Sequence, residues 1–117
     1  MNVNVLFSGI PVTDFDVSRS WYERLLGRPA DMPVHEHEVM WQMCDGGWMY
    51  VVADPERAGQ SLVAMAVSDL DRTIAEIEGR GITVEKIENV SDGVRKTTVL
   101  DPDGNSIAII EILQQDH

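Results

Sequence analysis

The sequence predicts an α+β fold built from two βαβββ modules, and three observations predict it. Ser68-Asp69-Leu70-Asp71 repeats Thr13-Asp14-Phe15-Asp16, each time between a strand-like apolar run and a segment of helical periodicity. Asp103-Gly104-Asn105-Ser106-Ile107-Ala108 overlays Asp45-Gly46-Gly47-Trp48-Met49-Tyr50, each time as a turn leading into a strand. The third is the turn chemistry of Asp101-Pro102-Asp103-Gly104. Pro102 presets the φ of a tight turn, and Gly104 accepts the left-handed geometry that closes it. Gly104 should therefore resist a branched substitution, whereas Asn105 should tolerate serine.

The first strand is expected over Val5 to Val12, ended by Thr13-Asp14. A helix follows from about Phe15 to Leu26. Thr13 and Asp16 have capping-box spacing, with Asp in place of the usual Glu, and acids in the first turn suit the helix dipole. Val17, Trp21, Tyr22, Leu25 and Leu26 form its apolar stripe, and Gly27 is placed to cap its C-terminus. Residues 28–38 are weakly patterned, with Pro29 and Pro33 confining any strand to an edge. Val39 to Cys44 and Trp48 to Ala53 read as a hairpin about Asp45-Gly46-Gly47. This closes module one, at about 5–53.

Residues 54–60 (Asp54 to Gln60) are polar and contain breakers, as a connector should. Module two, about 61–113, starts with a strand over Leu62 to Val67. Its helix runs to about Glu78, burying Leu70, Ile74 and Ile77. Strands follow at Thr83 to Glu88 and Val94 to Leu100 about a Ser91-Asp92-Gly93 turn, then a closing strand from Ser106 to Leu113. The whole chain, 1–117, is expected to be a single domain, since 117 residues make one hydrophobic core.

Composition narrows the function. Twenty acidic against nine basic residues give a formal net charge of −11. That argues against nucleic acid as a partner, because such binding depends on Lys and Arg displacing counterions. It suits a cationic small molecule, which an acidic surface concentrates. No apolar run approaches the ~20 residues that span a bilayer, so no membrane partner is expected. The N-terminus lacks the order of a signal peptide, and the single cysteine, Cys44, has no internal partner. A cytoplasmic protein is expected. With no neighbouring base in sequence, Cys44 reads as a small buried hydrophobe rather than a nucleophile.

Val12-x-Asp14, then Ser18-x-x-Trp21-Tyr22-x-x-Leu25-Leu26-Gly27, then Asp101-Pro102-Asp103-Gly104-Asn105 resemble the vicinal oxygen chelate superfamily. That superfamily includes glyoxalases, extradiol dioxygenases and bleomycin resistance proteins. The resemblance covers about Phe7 to Leu113. It implies that the two modules form a curved mixed sheet, a cup, with the helices outside. It also implies a homodimer, since short chains of the family usually pair.

Members that do chemistry place four metal ligands on the cup face. The first-strand ligand stands seven residues before the helix-leading Asp, which is Phe7 in module one and Leu62 in module two. The closing-strand ligand is a glutamate four residues after the turn glycine, where this chain has Ala108; the repeat maps that position onto Tyr50. These four offer one phenol, whose pKa near 10 makes it a poor ligand at neutral pH. No metal, no cofactor and no catalytic residue are expected.

Strand alternation puts Trp48, Tyr50 and Val52 on the cup face with Phe7, Leu62, Ala108 and Ile110; Trp41 joins them if the hairpin register allows. Aromatic faces stack on flat ligands and attract cations. The function expected is metal-independent binding of the bleomycin-resistance type, sequestering a planar or cationic natural product such as an antibiotic. Two alternatives stand beside it: a glyoxalase-like lyase or isomerase with atypical or no metal, and a structural or regulatory module whose cup is filled. His35-Glu36-His37-Glu38 could in principle offer two imidazoles to a metal, but it lies off the ligand positions and reads as a polar edge strand. Asp14, Asp69, Asp101 and Asp103 read as caps and turn formers.

Overall fold

The computed structural model describes residues 1–113. β1 (Leu6–Val12), α1 (Phe15–Leu26), β2 (Met32–His35), β3 (Glu38–Cys44) and β4 (Gly47–Ala53) make the first unit. β5 (Leu62–Ala66), α2 (Leu70–Gly79), β6 (Glu88–Ser91), β7 (Val94–Leu100) and β8 (Ser106–Ile112) make the second. Hydrogen bonding resolves two four-stranded mixed sheets, ordered β1-β4-β3-β2 and β5-β8-β7-β6. Both place a parallel pair, β1 with β4 and β5 with β8, beside antiparallel hairpins. The α+β fold of two βαβββ units is what the repeat predicts.

The two helices start alike. Asp14 accepts from the Val17 amide at 3.1 Å and Asp69 from the Arg72 amide at 3.0 Å, so each satisfies an otherwise orphaned N–H. The cap of α1 is therefore Asp14, not Thr13. The Thr13 amide is engaged elsewhere, donating to Asp103 Oδ2 at 3.0 Å. This moves the apolar stripe too: Phe15, Ser18, Trp21, Tyr22 and Leu25 are buried, while Val17 points outward and is 52% exposed. Gly27 ends the helix at φ 76°, its amide donating to Glu23. In α2 the buried residues are Leu70, Ile74 and Ile77, as expected.

The strand expected over Thr83 to Glu88 does not form: Glu88 instead begins β6, and residues 83–87 are in no strand. They touch β7 only locally, through the Glu85 amide to the Thr98 carbonyl and the Thr97 hydroxyl to the Glu85 carbonyl. The strand pairing with β7 comes later, at Glu88–Ser91. β2 is an exposed edge strand carrying Pro33, which an edge tolerates.

One continuous core joins the two units. Ile10, Val12, Val39, Trp41, Met49 and Val51 come from the helix-facing side of the first sheet, and Val99, Ile107 and Ile109 from the second. The turn between β7 and β8 fastens them. Asp101, nearly buried, accepts from the Asp103 and Asn105 amides at 2.9 Å, from Asn105 Nδ2 at 2.8 Å and from the Tyr22 hydroxyl at 2.8 Å. Burial, reinforced by the Asp101 charge, pushes the Tyr22 phenol far above its ordinary pKa. It stays a donor. Asn105, fully buried, also donates to the Pro11 carbonyl and accepts from the Ser61 amide. Serine could not span these partners, so Asn105 is not the tolerant position that the turn pattern suggests. Gly104 is at φ 91°, as the turn requires.

Candidate functional site

The face of each sheet away from the helices carries most of the expected binding residues. In the first sheet Phe7 lies beside Trp48, Gly9 beside Tyr50 and Pro11 beside Val52. Phe7 and Trp48 stack with ring centroids 6.4 Å apart and planes at 27°. Phe7 is 52% exposed, and Trp48, Tyr50 and Val52 are half-buried. In the second sheet Ala64 lies beside Ala108 and Ala66 beside Ile110, with Leu62 at the start of the strand. Leu62 is 86% exposed, the barest of these side chains.

Trp41 does not join the row. Its strand partner is Met49, one residue out of phase with Trp48 and Tyr50, so it turns to the helix side. There it is fully buried, near Tyr22, with Nε1 donating to the Arg28 carbonyl at 3.1 Å. Trp41 belongs to the core.

A cleft of about 350 Å³ opens beside Tyr50. Gly9, Pro11, Tyr50 and Val52 line one side; Asp54, Arg57 and Gln60 of the connector, with Ser61 just after it, line the other. Arg57 Nε donates to Asp54 Oδ2 at 2.8 Å, and its amide donates to the Asp54 carbonyl, which curls the connector into a turn. The Ser61 amide is held by Asn105, and Ser61 in turn accepts from the Ser106 amide. At the other end the Asp54 amide donates to the Val12 carbonyl at 2.9 Å, so both ends of this wall are fixed to the fold. Of the expected row only Tyr50 and Val52 line this cleft; Leu62, Ala108 and Ile110 stand on the other sheet's outer face. Sequence reading missed Gly9 and the connector residues. The signal was there for Gly9: a glycine inside a strand marks close approach by another group.

A second, more apolar hollow of about 440 Å³ lies between β1, β4 and β5, lined by Leu6, Met43, Trp48, Met49, Val63 and Met65 among others. Cys44 is at its border and is exposed, not buried as its residue type suggests. It occupies the last position of β3, where the strand ends and the chain turns through Gly46 at φ 70°.

Residues 4–109 match the Glyoxalase/Bleomycin resistance protein/Dioxygenase superfamily. The chain belongs to this family. A glyoxalase/bleomycin resistance protein from Catenulispora acidiphila DSM 44928 is 41% identical with a TM-score of 0.87, over 92% of this chain and 97% of that one. Two further structures share the fold at lower identity. TnmS3, an antibiotic-binding protein from Streptomyces sp. CB03234, is 22% identical with a TM-score of 0.74, over 92% of this chain and 94% of that one. A bleomycin-binding protein in complex with bleomycin is 21% identical with a TM-score of 0.75, over 91% and 96%. No curated protein shows significant similarity to the chain.

The metal used by catalytic members of the glyoxalase and dioxygenase family does not fit the residues present. A hard or borderline cation needs carboxylate or imidazole donors converging from separate strands. Phe7, Leu62 and Ala108 have no donor atom, and Tyr50 has only a phenol. Among the described residues no three His, Cys, Asp or Glu side chains gather to hold an ion. His35 ends β2 while Glu36 and His37 make the turn to β3, so the pair is not a continuous edge strand. His35 Nδ1 accepts from the His37 amide at 3.1 Å, and its Nε2 lies 3.4 Å from Glu38. No helix among the described residues is long and apolar enough to cross a membrane.

Proposed function

We propose that this protein is a metal-independent small-molecule-binding member of the family, of the bleomycin-resistance type. It sequesters a planar or cationic compound against the aromatic outer face of its first sheet and does not transform it. One observation carries this reading. Phe7, 52% exposed, shares a single strand-paired face with the partly exposed Trp48 and Tyr50, and Phe7 and Tyr50 stand where catalytic relatives need oxygen or nitrogen donors. Large apolar rings left in contact with water are unfavourable unless a ligand or partner covers them. Sequestration needs affinity alone: a nanomolar dissociation constant corresponds to about −12 kcal/mol. Stacking in a cleft whose walls are already fixed contributes toward that by limiting the entropy lost on binding.

Two chains pair in this reading, as a cytoplasmic homodimer. The motivation is that, among the described residues, β1 and β5 each leave one edge of their sheet without a strand partner, with Phe7 and Leu62 exposed on these strands. An uncovered strand edge beside apolar side chains favours association.

Titration of tryptophan fluorescence with glycopeptide, quinone and aminoglycoside compounds tests the binding, and sedimentation tests the pairing. A saturable response that Trp48→Ala abolishes, with each compound recovered unchanged by mass spectrometry, is expected. Turnover of a bound compound, or no response to any of the panel, would overturn the reading.

A further inference from the structure

We propose that Gly9 is a positioning residue, present to lay the Tyr50 phenol flat as the floor of the cleft, and that this floor takes a flat fused-ring ligand with polar groups at its edge. The proposal rests on the binding function above and specifies its site. Gly9 and Tyr50 are direct neighbours on the parallel strands β1 and β4. A Cβ at Gly9 would collide with Tyr50 Cζ and Oη and stand 2.8 Å from Cε2. The phenol therefore leans across β1 into the space that any other residue would fill. Gly9 is not at positive φ, so no backbone conformation demands glycine there. What demands it is the ring.

A phenol lying over the next strand offers its free side to the cleft, and Tyr50 does line it. Pro11 and Val52 continue the same face as an apolar shelf without polar side-chain atoms. Across from them Gln60 and Ser61, which carry polar side chains, line the cleft together with Asp54 and Arg57, a paired, near-neutral charge set. An apolar floor with a polar rim selects a planar body carrying carbonyl, hydroxyl or amino substituents. The volume, about 350 Å³, is near the lower end of ligand pockets. It suits one ring system, whether a whole compound or the flat moiety of a larger one.

Proflavine, a flat cation attracted by a net charge of −11, is a suitable test ligand. Its dissociation constant is measured by fluorescence for the wild type, Gly9→Ala, Tyr50→Ala, the double variant, Tyr50→Phe and Trp48→Ala. Gly9→Ala should weaken binding about tenfold or more, the loss expected for one stacking partner, while Tyr50→Phe changes little. In the Tyr50→Ala background the same glycine substitution should have no further effect, because Gly9 acts only through the ring. A merely structural glycine would instead lower the melting temperature and leave the affinity of the folded protein alone, which would overturn the proposal. If Trp48→Ala weakens proflavine while Gly9 and Tyr50 variants do not, this floor is wrong and the broader binding reading survives. If the wild type does not bind proflavine at millimolar concentration, the proposed floor is wrong, and the compound panel decides the broader reading separately. Should Gly9→Ala fail to fold, wild-type NMR decides. The Gly9 Hα resonances should be shifted by the ring current of the adjacent Tyr50 and move on adding proflavine; unshifted resonances would overturn the proposal.

Discussion

Trp41→Ala and Trp48→Ala should behave oppositely, although both tryptophans sit on the same hairpin. Trp41 is fully buried among α1 and the first sheet and holds the Arg28 carbonyl through its indole N–H. Truncation removes a large apolar side chain, leaves a cavity that the surrounding elements fill only in part, and strands a carbonyl. Core Trp→Ala changes of this kind cost about 3–5 kcal/mol, and the lost hydrogen bond keeps the expectation at the upper part of that range. The unfolding entropy of a chain this long is roughly 0.25 kcal/mol per degree, so the melting temperature should fall by roughly 16–20 °C. Trp48 is half-buried on the outer face, stacked on a Phe7 that is itself 52% exposed. Its truncation loses one aromatic pair, about 0.5–1.5 kcal/mol beyond the area it covers, and should move the melting point by only a few degrees. Thermal melts by circular dichroism, with urea titrations to confirm that m is unchanged, distinguish the two. Equal destabilisation by both substitutions would show that the outer face is core and refute the assignment of faces.

Three further outcomes follow from the structure. Asn105→Ser should be at least as destabilising as Gly104→Val, since it leaves buried partners unsatisfied at about 1–3 kcal/mol, while the branched residue at positive φ costs roughly 1–3 kcal/mol; chemical denaturation of both variants checks the order. The Tyr22 phenol has a folded-state pKa raised by burial, so its contribution is complete below the unfolded value near 10 and is lost as pH rises beyond it; melts up to strongly alkaline pH should show this loss in the wild type and a flatter limb in Tyr22→Phe. After dialysis against Ni, Zn, Mn and Fe, elemental analysis should find well under one metal per chain, and a stoichiometric metal surviving substitution of His35 and His37 would contradict the donor argument.

The fold was legible because it is written twice. A helix cap, a helix-facing stripe and a turn glycine recur in each half, and each has a local cause that the residues themselves display. Errors arose where local cause was shared between neighbours. Thr13 and Asp14 both suit a cap, and the choice between them depends on Asp103 taking the Thr13 amide from ninety residues away. Trp41 was ambiguous because a hairpin's register decides which face an aromatic takes, and Asp45-Gly46-Gly47 fits more than one register. Cys44 follows its residue type until the strand ends. In the site the aromatic row of Phe7, Trp48 and Tyr50 was readable from alternation. The connector wall was not, because polar residues between breakers look the same whether they float or line a cleft.

The turn that most clearly marks the fold also holds the cleft. Asn105 grips the Pro11 carbonyl on one wall and the Ser61 amide on the other, while Asp103 holds Thr13 at the end of β1. Asp101 fixes Asn105 and is itself held by Tyr22 of α1. One side of the cleft comes from the first unit and the other from the connector and the residue after it, and this network ties the two together. A turn selected only for closing a hairpin would need Gly104 and little else. Here the neighbouring Asn and Asp side chains reach out of the hairpin to the first strand and the connector. On the binding function proposed above, loosening them should therefore lower ligand affinity as well as stability, because the cleft would lose the preorganisation on which the proposed stacking on Tyr50 depends. Proflavine titration of Asn105→Ser well below its melting temperature separates the two effects: unchanged affinity in the folded variant would mean that the turn supports the fold alone.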